Sequence, residues 1–281
     1  MIKNRIFVVG CPRSGTTLLQ GLLNTHPAIT SFTESHFFDF GVKQPKSGPF
    51  YYVRKNANEL VISFLSENSI DKTLNHKILN QMPAQPVIKG NGVTKWSQYF
   101  ISILDTIATS REKNVWVEKT PDHLNRIKLI SKVCPDAHFI HIIRNGKDVV
   151  ASLFTASKKW KKKYTINDCV KFWNKAIIIS THYVNNKHHN CIFYDDLVQS
   201  PKKFINQLFS SFSLSTVNEI EKVYEKSVKS IVANEEEWKM KNLTSIKYST
   251  TFKDVFTKDE QNNIEKAIDL YNYEKIKEYS Y

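Results

Sequence analysis

Arg5-Ile-Phe-Val-Val-Gly10-Cys-Pro-Arg13-Ser14-Gly15-Thr16-Thr17 opens the chain, and Leu18, Leu19, Leu22 and Leu23 follow it. A short apolar run rich in β-branched residues and ending at glycine predicts a strand buried on both faces, as in parallel sheets. The four leucines fall at helical spacing, and 24–27 ends that helix. Between strand and helix lies Gly, four residues, Gly, then two threonines. Backbone N–H groups in such a loop converge on an anion, and the helix N-terminus adds its dipole. Nucleoside-triphosphate loops need a lysine where Thr16 stands, so a Mg-triphosphate is poorly served; Arg13 brings the positive charge instead.

Working outward, the same alternation recurs. Ile29 to Phe32 reads as a second strand, 115–117 as a third, Ala137 to Ile143 as a fourth and Cys191 to Tyr194 as a fifth. Helices are expected near 57–66 and 73–81. Another follows from the spacing of Trp96, Phe100, Ile103, Leu104 and Ile107. Thr120 and Pro121 are read as N-cap and first turn of a helix running through Leu124, Ile127, Ile130 and Val133. Further helices are expected from Lys147, over 166–186 with Val170, Trp173, Ile177 and Val184 on one face, and after a Ser200-Pro201 cap. Thr257 and Glu260 have capping-box spacing, with Ile264, Ile268 and Tyr271 continuing that helix. Strands alternating with helices define an α/β chain with a parallel sheet, whose ligands bind beyond the carboxyl ends of the strands. No repeat or linker divides the 281 residues, so one domain over 1–281 is expected.

Lys+Arg number 40 and Asp+Glu 27, a net charge of +13 that points to an anionic partner: nucleic acid, a membrane surface or a phosphorylated small molecule. Aromatic interleaving of a nucleic-acid motif is missing, so no nucleic acid is expected. The run Lys158 to Lys163 is read first as a solvated face, second as a lure for a polyanion. Apolar stretches fall far short of the roughly 20 residues of a membrane span, and the N-terminal one is too short for a signal peptide. Cys11, Cys134, Cys169 and Cys191 have neither metal-ligand nor redox spacing. A cytoplasmic protein with no metal site is expected.

A second segment repeats the anion chemistry. Ile142-Ile143-Arg144-Asn145-Gly146 ends a strand in arginine, and Ser152 sits on the helix behind it. Both can reach one phosphate, the arginine through charge-assisted bonds.

Together these motifs resemble the P-loop sulfotransferases that use 3′-phosphoadenosine-5′-phosphosulfate (PAPS), in the branch holding tyrosylprotein and many bacterial enzymes. Pro12-Arg13-Ser14-Gly15-Thr16-Thr17 matches the family's 5′-phosphosulfate loop. Arg144 and Ser152 match its 3′-phosphate pair. Glu118-Lys119-Thr120-Pro121 is similar to its Lys-x-Pro element, and Tyr194-Asp195-Asp196-Leu197 to its late strand exit. The likeness covers about residues 5–212 and is faint over 41–114 and after 213. It implies a three-layer P-loop-type sheet flanked by helices, with helical insertions, of which 41–114 would bind the acceptor.

The resemblance also implies a chemistry of transfer from PAPS to a hydroxyl, leaving adenosine 3′,5′-bisphosphate (PAP). Glu34 is the candidate base, with His36 as its rival. Lys119 would stabilise the bridging oxygen, and Arg13 the 5′-phosphosulfate. Ser14, Gly15, Thr16 and Thr17 would bind the donor with Arg13, Arg144 and Ser152; Ser245 and Lys247 would close over it. His26, His123, His138 and His141 show no partner spacing and read as structural or exposed. The expected acceptor is a carbohydrate, glycolipid or small metabolite rather than a peptide tyrosine, because a cytoplasmic enzyme is separated from secreted proteins. A nucleotide or metabolite kinase is the competing enzyme, and a basic nucleic-acid-binding protein the competing non-enzyme.

Overall fold

The computed structural model describes residues 1–43, 52–54, 56–83, 91–229, 231 and 252–279. Its centre is a five-stranded, all-parallel sheet. In chain order the strands are β1 (Asn4–Gly10), β2 (Ile29–Ser31), β5 (Val115–Lys119), β6 (Ala137–Ile143) and β7 (His189–Phe193). They lie in the order β2-β5-β1-β6-β7. A separate antiparallel pair joins β3 (Val42–Lys43) to β4 (Tyr52–Val53).

Period-two alternation in β1 splits the core into two layers. Ile6 and Val8 face α1 (Thr16–Leu23), α8 (Tyr194–Gln199), α9 (Pro201–Ser211) and α10 (Ile220–Lys229). Phe7 and Val9 face the other layer, where Phe7 stacks on Phe139 and meets the edge of Trp116. That layer contains α4 (Asn91–Ser110), α5 (Ile127–Val133), α6 (Gly146–Ser157) and α7 (Ile166–Thr181). All four leucines predicted for α1 are buried, each contributing about 1.5–3 kcal/mol of transfer free energy. α2 (Ala57–Glu67) and α3 (Lys72–Leu79) extend this second layer, as do the C-terminal helices α11 (Phe252–Val255), α12 (Lys258–Ala267) and α13 (Leu270–Glu278).

The path of the chain makes a crevice at the strand ends. After β1 it crosses through α1 toward β2; after β6 it crosses on the opposite face through α6 toward β7. β1 and β6 are neighbours, with Gly10 opposite Ile142. Adjacent strands whose exits diverge open a ligand crevice between them.

Five details differ from the sequence expectations. α7 ends at Thr181, so Val184 lies in the turn beyond it rather than on the helix face. The capping box of Thr257 and Glu260 forms, but the helix breaks at Ile268, and Asp269 caps a new one. Tyr271 is therefore exposed rather than on a core face. Tyr194 begins α8 instead of ending β7. Ser200 gives no side-chain cap. Neither does Thr120: Pro121–Arg126 is a 3₁₀ turn, and the threonine hydroxyl is engaged elsewhere. Among the described residues no helix is long and apolar enough to cross a membrane.

A buried histidine pair adds an acid sensitivity to this fold. His141 Nε2 lies 2.9 Å from His189 Nδ1, and His141 Nδ1 lies 3.0 Å from Ser180 Oγ. Burial, then the neighbouring histidines, push His141 down to about 3 and His189 to about 4. In the unfolded chain both titrate near 6.5, so between about pH 6.5 and 4 the unfolded state binds more protons and stability falls as pH drops. Each histidine titrating fully contributes about 1.4 kcal/mol per pH unit. Urea denaturation across this window should show that loss. His189→Gln, which keeps a polar neighbour for His141, should flatten the slope; an unaltered slope would remove the pair from the acid response.

Candidate functional site

The loop between β1 and α1 is shaped by its glycines. A Cβ on Gly10 would lie 2.7 Å from the Ile142 carbonyl oxygen, so only glycine lets β1 leave the sheet this close to β6. Gly15 is left-handed (φ +95), and a Cβ there would lie 2.4 Å from the Tyr194 ring. Arg13 is also left-handed (φ 74), in the middle of the turn. Gly15 is the N-cap of α1 and offers no side chain, so the first-turn amides of Thr16 and Thr17 open into the loop. Ser14 and Thr16 are buried beneath it, and Thr17 is half-buried.

Tyr194 supports more than the glycine. The Arg144 guanidinium sits over its ring, 4.4 Å from the centroid. The Arg144 carbonyl accepts the Trp173 indole N–H at 3.0 Å, which ties the β6 exit to α7. Arg144 Nη1 donates to the Arg13 carbonyl at 3.2 Å, and Arg13 Nε donates to Ser152 Oγ at 3.2 Å. Residues from the loop, from β6 and from α6 therefore meet at the β1–β6 crevice. Burial, and then the Arg144 charge, hold the Arg13 guanidinium below its ordinary value. Two guanidiniums beside a hydroxyl and a helix N-terminus form a donor set suited to a polyanion with separated charges.

Replacing Gly15 with alanine should displace either the loop or Tyr194, at a cost of about 1–3 kcal/mol. A melting temperature equal to wild type would contradict this packing.

The acid–cation pair lies one strand away. Lys119 ends β5, with Val8 of β1 as its register partner. The loop after β2 carries Glu34. Gln20 Nε2 fixes the exit of β2 by donating to Ser31 Oγ at 2.8 Å and to the Phe32 carbonyl at 2.7 Å. Lys119 Nζ donates to Glu34 Oε1, and His36 Nε2 lies 3.4 Å from Glu34 Oε2. Lys119 is 2% exposed and Glu34 15%, so the pair is largely withdrawn from water. The other His36 nitrogen lies 3.4 Å from Asp39 Oδ2. Burial opposes charge on His36, but the Asp39 hydrogen bond and the Glu34 and Asp39 carboxylates outweigh it and raise the imidazole above its ordinary value. His36 thus lies between two acids that both favour its protonated form.

The structure brings Arg13, Ser152 and Arg144 together, and separately Glu34 with Lys119. Ser245 and Lys247 lie outside the described residues. Three contributors were missed. Tyr194 stands in the sequence only within the strand-exit motif, where nothing signals its contact with Gly15. His123, read as lacking a partner, is buried with Nδ1 2.9 Å from Glu118 Oε2. For Glu118 the signal in the sequence is a carboxylate that continues the apolar run 115–117 inside β5.

Fold and crevice together define an α/β protein of the phosphate-loop class, with two arginines meeting at the crevice and an acid–lysine pair one strand away. The chain belongs to the sulfotransferase family, whose model matches residues 5–219. Protein-tyrosine sulfotransferase 2 of Gallus gallus is 24% identical over 226 residues, covering 75% of this chain and 51% of that protein. Protein-tyrosine sulfotransferase 1 of Danio rerio is 24% identical over 217 residues, covering 72% and 51%. The chain spans about half the length of these relatives. Among solved structures, the sulfotransferase domain from the curacin biosynthetic pathway matches with TM-score 0.61 at 16% identity, over 95% of this chain and 97% of that one. A mouse sulfotransferase complexed with PAP matches with TM-score 0.55 at 14% identity, over 100% and 90%. These two likenesses establish the fold.

Proposed function

We propose that this protein is an enzyme that transfers a sulfuryl group from PAPS to a hydroxyl acceptor. One observation carries the reading: Arg144 and Ser152 converge with the Arg13 loop at the crevice, an arrangement suited to a nucleotide with phosphates at both ends of its ribose. PAPS supplies the sulfuryl group and a phosphate as leaving group. Arg13, Ser14, Gly15, Thr16 and Thr17 hold its 5′ end, and Arg144 with Ser152 holds the 3′-phosphate. Glu34 takes the acceptor proton as the new O–S bond forms. Lys119, salt-bridged to Glu34 in the described state, steadies the negative charge left on the 5′-phosphate oxygen as the old S–O bond breaks. A metal is not required where backbone amides and cations stabilise that charge.

Residues 41–114 are the proposed source of the acceptor pocket, since the π-helical turn Phe37–Gly41 and the β3–β4 pair lead from the Glu34 loop into that segment. The names of the curated relatives favour peptide tyrosine among hydroxyls, while the sequence reading favours a carbohydrate, glycolipid or small metabolite. Labelled PAPS incubated with one acceptor of each kind tests both. Label on any of them supports the reading and names the class. Label on none, under conditions where PAPS stays intact, contradicts it.

A further inference from the structure

From the loop after β2 into the first residues of the π-helical turn the chain has no ladder to satisfy its amides, yet four consecutive N–H groups find side-chain acceptors. Ser35 N–H donates to Glu118 Oε1 at 3.4 Å, His36 N–H to Thr120 Oγ1 at 3.3 Å, Phe37 N–H to Ser35 Oγ at 3.3 Å and Phe38 N–H to His123 Nε2 at 3.2 Å. The three accepting side chains pass a donor onward to the same carboxylate. Ser35 Oγ donates to Glu118 Oε1 at 2.8 Å, Thr120 Oγ1 to Oε1 at 2.7 Å, and His123 Nδ1 to Oε2 at 2.9 Å. Glu118 and His123 are both 0% exposed.

The polarity of this network has one solution. Phe38 N–H makes His123 Nε2 an acceptor, so the imidazole proton resides on Nδ1. Although Glu118 favours a second proton on His123, that proton would face the Phe38 N–H, so the ring stays neutral. Glu118 must then accept from every side, which only an ionised carboxylate does. Burial pushes its carboxyl up, and the hydrogen bonds from His123, Thr120 and Ser35 oppose that by favouring the ionised form.

We propose that Glu118 is a positioning residue: its buried carboxylate, acting through Ser35, Thr120 and His123, fixes the backbone that carries Glu34 and sets that acid against Lys119. Glu118 touches no reacting group. Its role rests on the sulfuryl-transfer reading, because it acts through Glu34. Glutamine at this position cannot replace it. An amide N–H₂ turned toward His123 would force the imidazole proton onto Nε2, against Phe38 N–H. Turned the other way, it would set its N–H₂ against the Ser35 N–H and take from the Ser35 and Thr120 hydroxyls the oxygen to which they donate.

Glu118→Gln in the full chain, with Ser35→Ala and Thr120→Val as milder variants should it not fold, gives two readouts. Amide hydrogen exchange at 35–38 should quicken in all three while the amides of β6 keep their protection; this arm needs no donor or acceptor. With PAPS and an acceptor found in the screen, kcat should fall by about 100-fold in Glu118→Gln, the scale of an ångström's misplacement. PAP affinity and the KM for PAPS should stay near wild type. Adding Glu118→Gln to Glu34→Gln should lower kcat no further, whereas a residue important only for global stability would add its own loss. Wild-type exchange at 35–38, a wild-type kcat in the variants, or additive losses overturn the proposal. A wild-type protein that neither binds PAP nor uses PAPS would overturn the transfer reading instead, leaving the exchange result to stand on its own.

Discussion

Glu34→Gln should leave PAP binding close to wild type and reduce sulfuryl transfer by about 100- to 10,000-fold, the range expected for loss of a general base. The substitution keeps the shape that meets Lys119 and His36 but removes the proton acceptor. His36 stands beside the lost carboxylate, 3.4 Å from Glu34 Oε2 and 3.4 Å from Asp39 Oδ2, and is the rival base that this variant tests. Steady-state rates with labelled PAPS, together with PAP titration of the same preparation, check this. Turnover retained within a few-fold of wild type would move the base to His36.

Arg144→Ala should weaken PAP far more than adenosine 5′-phosphate. Charge-assisted hydrogen bonds are worth about 1.5–3 kcal/mol each, so the expected loss for PAP is about 10- to 100-fold or more. The substitution also removes the guanidinium from the face of Tyr194 and its donor from the Arg13 carbonyl, so a smaller loss of 5′-phosphate affinity should accompany it. Calorimetric titration of both nucleotides against wild type and variant separates the two effects. Equal losses for both would take Arg144 away from the 3′-phosphate.

Much of the frame was legible because it is local. β1, its loop and α1 follow from residues 5–23, where the apolar period changes from strand to helix around two glycines. α4 was equally readable: the spaced residues Trp96, Phe100, Ile103, Leu104 and Ile107 are all buried. Arg144 and Ser152 could be paired because both lie within one strand–helix unit. What depends on distant partners was not readable. Thr120 has the sequence context of a helix cap, but its hydroxyl donates to Glu118 instead and the following turn is 3₁₀. Tyr194 supports the loop because residues nearly the whole sheet apart in sequence meet at one glycine, which no periodicity reports. The break at Ile268 escaped because Ile264, Ile268 and Tyr271 keep helical spacing across it; Asp269 capping Asn272 is the signal that separates the two helices. Glu118 carried the clearest overlooked cue. A carboxylate between Val117 and Lys119 in a strand buried throughout needs several donors, and those donors gather at the loop that carries Glu34.

The charge of +13 now has a partial account. Arg13 and Arg144 meet at the crevice and Lys119 is salt-bridged to Glu34, while Lys158 to Lys163 lies at the end of α6 with exposed lysines. The lysine excess therefore lies mostly outside the anion-binding groups.

Titration of the wild-type protein with PAP, adenosine 5′-phosphate and Mg-ATP tests the central claim most directly, because the three ligands differ in the phosphates proposed to meet Arg13 and Arg144. The account predicts that PAP binds tightest, exceeding adenosine 5′-phosphate by at least about tenfold through its 3′-phosphate contacts. PAP and adenosine 5′-phosphate binding alike, or Mg-ATP binding more tightly than PAP, would contradict it.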